Sequence, residues 1–159
     1  MKLGLVTATL FAAMITPAMA QQDVSYRKDI EPVMKKYCNE CHAAPEAPSY
    51  ADFKLNEEKW KKEKVGPRLD TYEHLVVLVA YPGTGAFMRR LDDGTNPIAG
   101  GKPGNMYKHL GETDAERNTN LAIIKAWVGE GGWNLNRMKA RGDVPGVTID
   151  QLNKLKLNY

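Results

Sequence analysis

Thiols, imidazoles and net charge are all scarce in this chain. Of its 159 residues, two are cysteines and three are histidines. Cys38 and Cys41 share one short stretch, so no thiol is left for a disulfide once that stretch is used. His74 and His109 lie far apart and show no pairing at metal spacing, which argues against a zinc site. The formal charge is +3, with one unit from Lys2, and so even a balance argues against nucleic acid as the main partner. After residue 20 no run is long and apolar enough to cross a membrane. Internal repeats and alternating apolar–polar runs are also missing, so no sheet is expected.

What is present begins with an export signal. Lys2 supplies a positive start, Leu3 to Ile15 is apolar with small residues and threonines, and Ala18-Met19-Ala20 is an A-x-A-like cleavage site before Gln21. The apolar stretch is short for a membrane anchor. Residues 1–20 are therefore expected to be removed as a signal peptide, leaving a periplasmic chain of charge about +2. That chain is long enough for one domain and too short for two. We expect a domain over 21–133 and a C-terminal extension over 134–159 with a short helix near Asp150 to Leu157.

The most informative stretch is Cys38-Asn39-Glu40-Cys41-His42. Cys-x-x-Cys-His is the attachment signature for c-type haem. The two thiols add across the two vinyl groups of one porphyrin, and the histidine that follows is placed to reach the iron. A thioredoxin-like redox pair would sit near a βαβ pattern, which is absent. Covalent attachment of this kind takes place outside the bacterial cytoplasmic membrane, so motif and export signal agree. One covalent haem c, held by Cys38, Cys41 and His42, is the expected cofactor.

The remainder reads as short helices joined by loops, an all-α architecture. A first helix is expected over Tyr26–Tyr37, capped by Ser25, with Ile30, Val33, Met34 and Tyr37 on one face. Pro32 removes a backbone donor inside it, so the first turn is expected to be irregular, with regular helix from Glu31. A second helix is expected over Leu55–Lys64 with Trp60 turned inward, stopped by Gly66-Pro67. The run Glu57–Lys64 reads as a solvated face of mixed charge. Asp70 and Glu73 form a capping pattern for a third helix, which Leu75, Val76, Leu78 and Val79 bury and Pro82-Gly83 ends. A short helix over Ala86–Leu91 precedes a Gly-, Pro- and Asn-rich stretch from Asp92 to Gly111. Thr113-Asp114-Ala115-Glu116 opens the last major helix, with Leu121, Ile124, Trp127 and Val128 inward.

Haem iron in an electron carrier is ordinarily bound on both faces, and methionine opposite histidine is a common pairing that raises the potential. The mature chain offers Met34, Met88, Met106 and Met138. Met34 sits on the first helix face and reads as core. Met138 lies among charged residues. Met106, in the irregular stretch just before the Thr113 cap, is the first candidate; Met88 is the second and His109 the third.

Taken together, these residues resemble a class I c-type cytochrome. The likeness covers Tyr26 to Trp133: a helix running into Cys38–His42, a Gly66-Pro67-Arg68-Leu69 segment similar to that family's Gly-Pro-x-Leu, and a loop methionine before a C-terminal helix bearing Trp127. The resemblance implies a cytochrome c-like fold, with short helices wrapped around the haem and the terminal helices in contact. It also implies that the Pro67 carbonyl accepts a hydrogen bond from the His42 ring and that Leu69 packs on the porphyrin. Arg68 is the favoured partner for a haem propionate, ahead of Arg89 and Arg90. Trp60, Trp133 and Tyr107 are weighed as core or as propionate donors, with core favoured for the tryptophans. His74 reads as structural. More loosely, the chain is similar to PccH-like periplasmic monohaem cytochromes. The long segment between His42 and Gly66, the Asp92–Gly111 stretch and the tail depart from compact class I members.

The function expected is a periplasmic one-electron carrier, not an enzyme, with His42 and Met106 on the iron. It should be monomeric and dock transiently with redox proteins through small interfaces. The alternatives are a haem enzyme or gas-binding protein with an open distal position, using Arg89 or His109, and a fixed subunit of a larger respiratory complex.

Overall fold

The computed structural model describes residues 23–80, 85–96, 100–133 and 148–159. The expected signal peptide, the Pro82-Gly83 stop and Met138 lie outside them. Among the described residues the regular elements are all helical. No helix among them is long and apolar enough to cross a membrane.

The chain enters through a π-helical turn, Tyr26–Ile30, that continues into α1, Glu31–Tyr37. Ser25 caps it, taking the Lys28 N–H on its hydroxyl while its own N–H goes to Asp29. The wider turn has a local cause. An α-helix begun at Tyr26 would ask Pro32 for an N–H and drive its ring into the Lys28 carbonyl. With i→i+5 bonds from Ile30 to Ser25 and from Glu31 to Tyr26, Pro32 falls instead in the first turn of α1, where no donor is required. Cys38 ends α1 and opens α2, Asn39–His42.

The next helix differs from expectation. Two short helices, α3 (Tyr50–Leu55) and α4 (Glu57–Glu63), meet at Asn56, whose backbone leaves the helical region. α4 stops at Lys64, in the left-handed region at φ 60°. Val65 N–H returns to Trp60 O and Lys64 N–H to Lys61 O, a Schellman closure two residues before Gly66. Trp60 is half-buried rather than core, with its Nε1 on the Asp52 carbonyl and Lys59 over its ring. The α4 charges pair within the surface, Lys61 with Glu57 at 3.0 Å and with Glu58 at 3.9 Å.

Helix α5, Tyr72–Val79, is capped by Thr71, which accepts the His74 N–H. The expected cap, Asp70, is displaced by one residue because its carboxylate is taken by Arg68. α5 buries Leu75, Leu78 and Val79, and α6, Ala86–Leu91, buries Phe87, Met88 and Leu91. After a 3-10 turn, Tyr107–His109, the long α7 spans Asp114–Val128 and buries Leu121, Ile124, Trp127 and Val128. It ends at Gly129, φ 79°, before the short α8, Glu130–Trp133, and α9, Ile149–Leu152.

The core joins the two ends of the fold. Tyr26, Ile30 and Met34 share one apolar cluster with Leu121, Ile124 and Trp127. The last residues lie across it: the Asn158 carbonyl accepts both the Tyr26 N–H and Trp127 Nε1, each at 2.8 Å. Tyr72 donates to the Leu157 carbonyl at 2.7 Å, and the Tyr159 ring stacks on Tyr26 within 8° of parallel. Burial pushes the Tyr26 hydroxyl up to about 12, with Glu31 adding to the effect.

Glu116 joins α1 to α7. Thr113 caps α7 as expected, but the Glu116 carboxylate does not close a box on it. It accepts instead the Glu112 N–H at 2.8 Å, the Tyr37 hydroxyl, and Lys36 Nζ at 3.0 Å. The Tyr37 hydroxyl first, then the Glu112 N–H and Lys36, hold its carboxyl down from 4.5 to about 2. A carboxyl depressed on folding stabilises fully above its unfolded value and loses that contribution as pH falls to the folded one. Glu116→Gln should therefore lower the urea midpoint at neutral pH and flatten the stability–pH curve between about 4.5 and about 2. An unchanged acid limb would show that these bonds add nothing.

Candidate haem-binding site

Cys38 closes α1 with its N–H on the Met34 carbonyl, and its own carbonyl accepts from Cys41 and His42. The motif is thus a single helical turn, which puts the two sulfurs three residues apart on one face. Both thiols are free; Cys41 is exposed and Cys38 packs against the core. Burial pushes the Cys38 thiol up to about 11, with Cys41 adding to the effect.

The His42 ring is fixed from outside the motif. Its Nδ1 lies 2.8 Å from the Pro67 carbonyl oxygen. A carbonyl only accepts, so Nδ1 carries the proton and Nε2 keeps its lone pair for a metal. The Leu69 N–H donates to the His42 carbonyl at 2.8 Å, tying the same segment down twice. Gly66 is required by this approach, since a Cβ there would stand 2.6 Å from His42 Cε1. The Gly-Pro step therefore serves the histidine and does not end α4. Leu69 is buried in the core cluster.

The expected propionate partner is engaged elsewhere. Arg68 donates through Nε and Nη2 to the two oxygens of Asp70, at 2.9 and 2.7 Å. Arg68 holds the Asp70 carboxyl below its usual range despite burial. His74 is structural as expected, with Nδ1 3.0 Å from Thr71 Oγ1 and 3.2 Å from Asp70 Oδ1. Trp133 lies at the surface, 37% exposed beneath Lys125, and not in the core. Tyr107 donates to Asn118 at 2.7 Å, and Arg90 to Asn105 at 2.9 Å.

The three candidates for the second ligand lie in different surroundings. Met88 is 2% exposed, inside the core on α6. His109 is exposed on the 3-10 turn. Met106 is half-buried, packed against the core from a loop pinned on two sides. Its N–H donates to the Arg90 carbonyl at 3.0 Å, and Gly104 donates to Asp92 at 2.7 Å. From α7, Asn120 reaches the Leu110 carbonyl at 2.6 Å and Arg117 the Gly111 carbonyl at 2.8 Å. Three contacts escape a local reading of the sequence: the Gly66 approach, the Pro48 carbonyl that accepts the Arg68 N–H, and the Arg68–Asp70 fork. Only the last has a local trace, in opposite charges two residues apart.

This donor set fits a covalent haem: two free thiols on one turn, and an imidazole whose outer nitrogen is committed to a carbonyl. An all-α shell around such a turn defines a monohaem c-type cytochrome. Residues 25–159 match the PccH cytochrome c family, and the chain belongs to that family. A solved structure, that of the monohaem cytochrome PccH from Geobacter sulfurreducens, is similar at a TM-score of 0.69 and 49% identity, covering 86% of this chain and 99% of that one. No protein with a curated description matches. The fold is thus cytochrome c-like, the cofactor is one covalent haem c, and the protein is an electron carrier. Replacing both Cys38 and Cys41 by alanine should give a chain with no covalent haem. A denaturing gel stained for haem peroxidase activity reads this directly, and a stained band would exclude these thiols as the attachment points.

Proposed function

We propose that the protein is a periplasmic one-electron carrier. Its haem is joined through Cys38 and Cys41, with His42 and Met106 on opposite faces of the iron. The observation that carries this reading is the His42 Nδ1 contact with the Pro67 carbonyl at 2.8 Å, which leaves Nε2 as the free nitrogen directly after the paired thiols. When bound, the haem supplies a ferrous–ferric couple whose potential depends on ligands, hydrogen bonds and burial. The chain's part is to hold the two ligand atoms still, so that little reorganises when one electron moves.

Two features favour Met106 over Met88 as the second ligand. Met106 sits in a loop with backbone anchors on α6 and side-chain anchors on α7, which suits a side chain held at a fixed place. Met88 is part of the apolar core, where a flexible thioether fills space. The export signal expected over residues 1–20 and the haem motif support the periplasmic location. The carrier is read as a monomer that binds redox proteins briefly and makes or breaks no bond itself.

Met106→Ala should abolish the methionine-to-iron charge-transfer band and lower the reduction potential. Met88→Ala should keep the band and cost about 2–5 kcal/mol in stability, the range for emptying a packed core position. A band that survives the first substitution and vanishes with the second would give the role to Met88.

A further inference from the structure

The Pro67 carbonyl faces His42 from a segment fastened just after it by two backbone hydrogen bonds. The Arg68 N–H donates to the Pro48 carbonyl at 2.9 Å and the Leu69 N–H to the His42 carbonyl at 2.8 Å. The Arg68 side chain is fixed in turn by its two-point fork on Asp70. Both side chains are largely out of water, 28% and 14% exposed, so this is not a loose surface pair. Asp70 directly precedes Thr71, the cap of α5, and its Oδ1 lies 3.2 Å from His74 Nδ1 in the first turn of that helix. α5 itself is fixed by Leu75, Leu78 and Val79 in the core. The fork therefore splints the Pro67 segment to a helix that cannot shift without disturbing the core.

We propose that Asp70 is a positioning residue for electron transfer: through Arg68 it holds the Pro67 carbonyl on His42 and so sets the strength of that hydrogen bond. The proposal rests on His42 as the proximal ligand and is independent of which side chain takes the other face. A firm Nδ1–H···O=C bond makes the imidazole a more basic ligand. A more basic ligand favours ferric iron, so a loosened bond raises the reduction potential.

Charge alone would also shift the potential, so the test keeps charge constant. Arg68→Gln combined with Asp70→Asn removes one charge of each sign and the fork with them. Asp70→Glu keeps both charges and moves the carboxylate by one methylene. It serves as the second variant if the pair fails to fold. Both are compared with wild type as holoproteins, by redox titration and by proton NMR of the iron-shifted His42 ring signals during exchange into D2O. We expect a potential above wild type and faster exchange of the His42 ring N–H, since a loosened bond both lowers the basicity of the imidazole and opens its N–H to solvent. Either readout left at its wild-type value overturns the proposal. If wild type itself shows no iron-shifted His42 signals, the proximal assignment falls, and the proposal falls with it.

Discussion

The bond between the His42 ring and the Pro67 carbonyl is the constraint around which the site is arranged. It decides which imidazole nitrogen keeps its lone pair and which way the ring faces. Several otherwise odd choices in the chain serve it. Gly66 has no side chain because the His42 ring occupies that space. Leu69 and Arg68 give their N–H groups to His42 and Pro48, so the segment is secured directly after proline, which has no N–H of its own. The thiols, by contrast, need only one helical turn to be presented together.

The shell around this bond is built from short helices whose ends are fixed by side chains from other elements. Glu116 is the clearest case: a residue placed to cap its own helix reaches instead to the helix that leads into Cys38 and to the loop end beyond Met106. The two sides on which the ligands are proposed to lie are thus tied through one carboxylate. At the opposite end, Tyr26, Tyr72, Trp127 and Tyr159 pack ring against ring, with centroids 5.1 to 6.3 Å apart.

Much of this was legible in the sequence, and what was not has a common physical reason. The haem motif is readable because bond chemistry fixes its spacing. The irregular first turn follows from one proline, and α6 and α7 follow from apolar periodicity. Trp60 and Trp133 were expected inside and lie at the surface or half-buried, because hydrophobicity alone does not say whether a neighbouring cation will cover a ring. The cap of α5 falls at Thr71, one residue after the position the pattern predicts, because Arg68 competes for Asp70. Gly66-Pro67 looked like a helix stop, and its true partner is a histidine 25 positions away from Pro67. Local pattern reports which groups want a partner; only the fold reports which partner is near.

The packing of residues 156–159 against Tyr26 and Trp127 has a kinetic side. Contacts such as that between Arg27 and Tyr159 span 132 positions, while the thiol-bearing turn is closed by bonds three and four residues long. Non-local closure is slow compared with formation of a helical turn. During folding, the attachment turn can therefore take shape while the segments of chain that seal the domain are still apart, so both sulfurs stand in the open before the native contacts close around them.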